Sequence, residues 1–158
     1  MNAENWVTLE RTFNAPIDTI WNLWTDPELF KQWYGPNGMS VPVAEMDVKP
    51  GGGRKICMEM QRPDGAMQMW FIGEYKEVSR PRRLVYTESM CDEAGNLISP
   101  ESMGMPPGHP DVTQVIVELS ETAGATRMVM THVGVPAGSP GAGGWSQAFD
   151  KLEALVGS

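Results

Sequence analysis

Few residues in this chain stand at a spacing that suggests chemistry. His132 continues an alternating run with Met128 and Met130, which places it on an apolar strand face. A histidine there can donate a proton, act as acid or base, or serve as a hydrogen-bonded core residue. Catalysis needs a partner, and no carboxylate stands at a spacing that argues for one, so structural duty is favoured. His109, in a proline-rich segment, reads as exposed. There is no Gly-x-Ser-x-Gly elbow and no activated Cys/His pair, so no catalytic residue is assigned. Cys57 and Cys91 lie far apart and share no ligand spacing with the histidines. Neither metal nor cofactor is expected, and two free thiols are. Pro50-Gly51-Gly52-Gly53 lacks the lysine and helix of a phosphate loop and reads as a sheet turn.

The informative residues are apolar. Six Trp and twelve Met are unusual in a chain of 158 residues, and both types suit adaptable apolar pockets. Alternation puts Val117 on one face with Met128, Met130 and His132 across a hairpin. Trp145 and Phe149 join them from a covering helix, with Trp33, Met39, Trp70 and Met90 as neighbours. Arg54 shares a strand face with Met58 and Met60. Met103 and Met105 sit in a long loop that is able to act as a lid. These residues form either a packed core or the lining of a cavity, with His132, Arg54 or Tyr75 to orient a polar end.

The elements that must position them follow from periodicity. Val7–Phe13 alternates and predicts a strand. Pro16 then opens a helix through Ile17, Ile20, Trp21 and Trp24, and Asp26-Pro27-Glu28 opens a second short one. Strands are predicted at Ser40–Val48, Arg54–Met60, Met67–Val78, Arg83–Met90, Val112–Leu119 and Arg127–Val135, with a bulge at Gly73. Trp145, Ala148, Phe149, Leu152 and Val156 recur at helical spacing and give an amphipathic helix to cover the sheet. Between Cys91 and Asp111 lies a loop rich in Pro, Gly and Met.

Bulk properties narrow the class. The length suits one domain over residues 1–158, and a formal charge of −8 argues against nucleic acid and anionic lipid surfaces. No run is long enough to span a membrane and no secretory signal is visible, so a cytoplasmic location is expected.

The order strand, two short helices, six strands, long helix resembles the helix-grip α+β fold of the SRPBCC superfamily, which holds START and birch-pollen-allergen domains. Ala15-Pro16-x-x-x-Ile20-Trp21-x-x-Trp24-Thr25-Asp26-Pro27-Glu28, then Trp33-Tyr34-Gly35-Pro36, is similar to the signature of one branch. So are Pro50-Gly51-Gly52 with Met58, Gly73-x-Tyr75-x-Glu77-Val78, Pro81-x-Arg83-Leu84 and Gly144-Trp145. That branch is similar to the C-terminal domain of the activator of the ninety-kilodalton heat-shock protein's ATPase. The resemblance implies a curved antiparallel sheet of about seven strands under the last helix. It implies, first, non-catalytic binding of a small hydrophobic or amphipathic ligand in an internal cavity between the sheet and the C-terminal helix. A co-chaperone-like partnership with a heat-shock ATPase is the alternative, and a polyketide-cyclase or aromatase activity ranks third. The chain departs from the branch at Arg54, where an aromatic residue is usual. Either Arg54 reaches water along its stem or it faces the interior and pairs with a carboxylate. The cost of a buried unpaired guanidinium favours the first.

Overall fold

A computed structural model describes residues 6–99, 110–138 and 140–156. The chain runs β1 (Trp6–Phe13), α1 (Ile17–Thr25), α2 (Pro27–Phe30), β2 (Met39–Met46), β3 (Gly53–Arg62), β4 (Gly65–Ser79), β5 (Arg83–Cys91), β6 (Thr113–Thr122), β7 (Ala125–Pro136) and α3 (Pro140–Val156). The strands form one antiparallel sheet in the order β1-β7-β6-β5-β4-β3-β2. Strands β2 to β7 are a continuous meander, and β1 closes its far edge against β7. The sheet curves, and α3 lies over its concave face. This is the helix-grip arrangement.

Local chemistry explains the short helices. The Asp26 carboxylate accepts the Glu28 N–H at 2.9 Å and Pro27 fills the first helical position. α1 is buried along Ile17, Ile20, Trp21, Leu23 and Trp24, and Trp24 is only 1% exposed. α2 ends at Phe30, so Trp33 and Tyr34 lie on the turn that follows it.

The last helix is held chiefly by burial. Trp145, Ala148, Phe149 and Leu152 are buried in the core, each large side chain contributing roughly 1.5–3 kcal/mol. Arg11 on β1 adds an ion pair to Asp150 at 2.8 Å and a hydrogen bond to the Ser146 carbonyl at 3.2 Å. Being partly exposed, that contact fixes position more than it stabilises.

Two expectations shift. α3 starts at Pro140, before the expected Trp145, because proline suits a first helical turn. The register shift in the β4–β5 ladder falls between Tyr75 and Glu77, whereas Gly73 pairs with Arg54 on β3 and has no ladder partner on β5.

Candidate functional site

Register brings four residues into one row across the concave face. Arg54 on β3 pairs with Gly73 on β4. The pairs Ile72–Ser89 and Tyr75–Tyr86 set Gly73 abreast of Glu88 on β5, and Glu88 pairs with Thr113 on β6. A Cβ on Gly73 would lie 1.8 Å from the Thr87 carbonyl oxygen, so only glycine fits there. With no side chain on the intervening strand, Arg54 and Glu88 approach each other directly.

The result is a buried polar centre. Arg54 Nη1 donates to Glu88 Oε2 at 3.5 Å, and their side chains are 1% and 8% exposed. Tyr34 Oη donates to the same oxygen at 3.0 Å. The guanidinium stacks on the Tyr86 ring, 3.7 Å from its centroid, with Phe30 and Tyr75 at 5.5 and 5.9 Å. Burial, with the Glu88 charge beside it, pushes the Tyr34 phenol well above its usual range. Burial also pushes Tyr75 and Tyr86 up, so all three hydroxyls keep their protons. Arg54 therefore takes the reading that the sequence ranked second. The interior supplies a carboxylate and aromatic faces, which offset the cost of burying its charge.

His132 lies next to this centre with both ring nitrogens engaged. Trp145 Nε1 stands 3.0 Å from His132 Nδ1, and an indole nitrogen only donates, so Nδ1 accepts. The proton is then on Nε2, which donates to Thr113 Oγ1 at 2.9 Å, while Glu88 Oε1 lies 4.0 Å from Nε2. Thr113 Oγ1 in turn donates a hydrogen bond to the Glu88 backbone carbonyl at 3.3 Å. This chain ties α3 to three strands. It leaves no ring lone pair facing a substrate, which supports the structural duty assigned to His132.

The other expected residues divide into groups. Trp33, Val117, Met128, Met130, Trp145 and Phe149 are packed in the core. Trp24 holds them together, stacking on Trp145 at 6.1 Å and donating to Met128 Sδ at 3.3 Å. Met39, Met58, Met60 and Met90 are half-buried, and register places Met67 opposite Met60 and Met69 opposite Met58. Trp70 does not join them. It pairs with Cys57 on β3 and Cys91 on β5, on the convex face, where Lys55 Nζ sits 5.2 Å from its ring. Counting residues along β4 from Phe71, which faces inward, reverses its side. Met103 and Met105 lie outside the described residues.

Glu88, Tyr34 and Thr113 were missed as site residues. A signal for Glu88 existed, since it alternates with Leu84, Tyr86 and Met90 on the apolar face of β5. Among the described residues no group of three or more His, Cys, Asp and Glu side chains is placed to hold a metal. A separate surface cleft of about 490 Å³ is lined by Asn14, Pro16, Asn22, Leu29, Gln32 and Leu155 among others and carries no charged residue.

Comparison with known proteins adds a family and a fold. The profile of the family described as Activator of Hsp90 ATPase homolog 1-like protein matches residues 14–157. A structure from Chromobacterium violaceum is 24% identical with a TM-score of 0.77, covering 98% of each chain. One from Nitrosomonas europaea is 25% identical with a TM-score of 0.72, covering 99% of this chain and 96% of that one. An AHSA1 protein from Silicibacter pomeroyi is 21% identical with a TM-score of 0.69, covering 94% of this chain and 95% of that one. No curated protein matches the chain.

Proposed function

This chain belongs to the Activator of Hsp90 ATPase homolog 1-like family, and on that premise we propose that it binds a small apolar or amphipathic molecule against the concave face of its sheet, without altering it. The observation that carries this reading is the run of half-buried methionines Met39, Met58, Met60, Met67 and Met69 on the inward face of β2, β3 and β4. Flexible thioethers on a half-exposed sheet face repack around ligands of different shape, and apolar surface covered there supplies affinity at roughly 25 cal/mol per Å². The engaged ring nitrogens of His132 favour binding over acid–base chemistry.

A neutral fluorescent probe, N-phenyl-1-naphthylamine, tests it. Saturable emission is expected, weakened about tenfold by Met58→Lys, which puts a charge on the inward face. Emission that never saturates, together with native mass spectra free of any carried-through small molecule, removes the proposal.

Family membership favours a second reading, interaction with an ATPase of the Hsp90 type. The uncharged cleft between the start of α1, α2 and the end of α3 is a surface for such a contact. Stimulation of the ATPase that Leu155→Asp abolishes would support it, and no effect at molar excess would exclude it.

A further inference from the structure

Within that binding reading, the polar centre still has donors to offer. Arg54 Nε and Nη2, Tyr75 Oη and Tyr86 Oη are buried and have no hydrogen-bond partner within 3.5 Å among the described residues, though Arg54 still acts on Tyr75, and Tyr34 on Tyr86, at longer range. A buried donor left in that state loses its hydration with nothing in return, and the loss is greater on a charged group. Native proteins rarely retain several in one place without a reason.

Their arrangement is specific. A guanidinium presents its N–H groups as a rigid planar fork. Nη1 is taken by Glu88, whereas Nε–H and Nη2–H point side by side from the opposite edge. That edge is the one that grips both oxygens of a carboxylate in parallel. With its central carbon 3.7 Å over the Tyr86 ring, the guanidinium is held in place, and its free edge with it.

The hydrogen-bond geometry selects the same class. At 3.5 Å the Arg54–Glu88 contact is longer than the roughly 2.7–2.9 Å of a charge-assisted hydrogen bond, and Glu88 Oε2 also receives Tyr34. Glu88 balances the charge of Arg54, so a bound carboxylate is held by the unused N–H donors and the two phenols and not by surplus positive charge. Tyr75 and Tyr86 stand by with protonated hydroxyls to share the extra negative charge. A phosphate would want more cations than one arginine, while a two-oxygen anion matches a two-donor edge. Outward along β3 and β4, the next inward pairs are Ile56–Phe71 and Met58–Met69, which offer only apolar contact.

We propose that the free edge of Arg54 is the receptor for the carboxylate of an apolar monocarboxylic acid, whose hydrocarbon part lies along Ile56, Phe71, Met58 and Met69. Phe71 is 8% exposed and Ile56 fully buried, so entry proceeds by displacement of the flexible Met58 and Met69 side chains.

Calorimetric titration with decanoate and with decan-1-ol tests this on the whole chain. Decanoate should bind about tenfold tighter or better, the gain of a charged bidentate pair over a single neutral hydrogen bond. In the double variant Arg54→Met, Glu88→Gln, which removes both charges at similar volume, the preference should vanish while decanol still binds. Equal affinities in the unaltered protein overturn the carboxylate receptor and leave the binding reading standing. Absence of binding by either molecule overturns both. Should the double variant not fold, carboxyl-labelled decanoate bound to the unaltered protein decides by NMR. Its carboxyl should stay ionised to lower pH than in free decanoate, and a carboxyl that protonates at the same or higher pH rejects the assignment.

Discussion

Arg54 and Glu88 stand on β3 and β5, with β4 between them, and meet directly over Gly73. Strands two apart are separated by roughly 9–10 Å, a span that an arginine crosses only when nothing rises from the middle strand. The missing side chain at Gly73 is therefore as much a part of the polar centre as the two charges.

Gly73→Ala should be among the most damaging single-methyl additions in this chain. The new Cβ overlaps the Thr87 carbonyl, which is backbone and cannot swing aside. Urea unfolding is expected to show a loss at or above the top of the ~1–3 kcal/mol typical of overpacking. A loss under about 0.5 kcal/mol would show that the β4–β5 backbones separate readily at this point.

Breaking the buried pair should hurt more than removing it. Arg54→Met alone leaves Glu88 inside with, among the described residues, one side-chain hydrogen bond, from Tyr34, and a loss of about 3–5 kcal/mol is expected. Adding Glu88→Gln should restore a large part of that. Stability losses that simply add, to within about 0.5 kcal/mol, would mean that the two charges do not interact.

Alkaline pH gives a third test. The chain has three tyrosines, Tyr34, Tyr75 and Tyr86, and burial raises all of them from the ordinary value of 10.0. Above that pH the unfolded chain loses phenolic protons that the folded chain keeps, so stability is intact below it and declines as pH rises beyond it. Tyrosinate absorbance should appear only with cooperative unfolding. A gradual rise in the still-folded protein would place at least one hydroxyl in contact with water.

The two thiols should be inert. Cys57 and Cys91 both pair with Trp70, from the strands on either side of it, roughly 9–10 Å apart. That exceeds the reach of a disulfide. They are 0% and 3% exposed, and burial pushes both thiols up. An aromatic disulfide reagent at mildly alkaline pH should label neither until denaturant is added, and rapid labelling of the native protein would contradict this burial.

Much of the architecture was legible in residue order because its causes are local. Alternation in β1 through β7, the Asp26-Pro27 start of α2 and the three- and four-residue apolar spacing of α3 act within a few neighbours each. Those patterns fixed the element types and the concave apolar face that α3 covers. Trp70 went astray where register had to be counted along a strand. Arg54 went astray where the cost of burying a charge depended on what lay opposite.

By itself the chain's order of residues determined a helix-grip sheet and the membership of Met58, Met60, Met128, Met130 and His132 on inward faces. Tertiary structure alone decided that Arg54, Tyr34 and Glu88, drawn from three separate segments, share one buried centre, and that Trp145 and Thr113 occupy both nitrogens of His132. The reason is physical. Periodicity records how a residue faces its own element, whereas the price or gain of burying a polar atom is set by partners that folding brings from elsewhere.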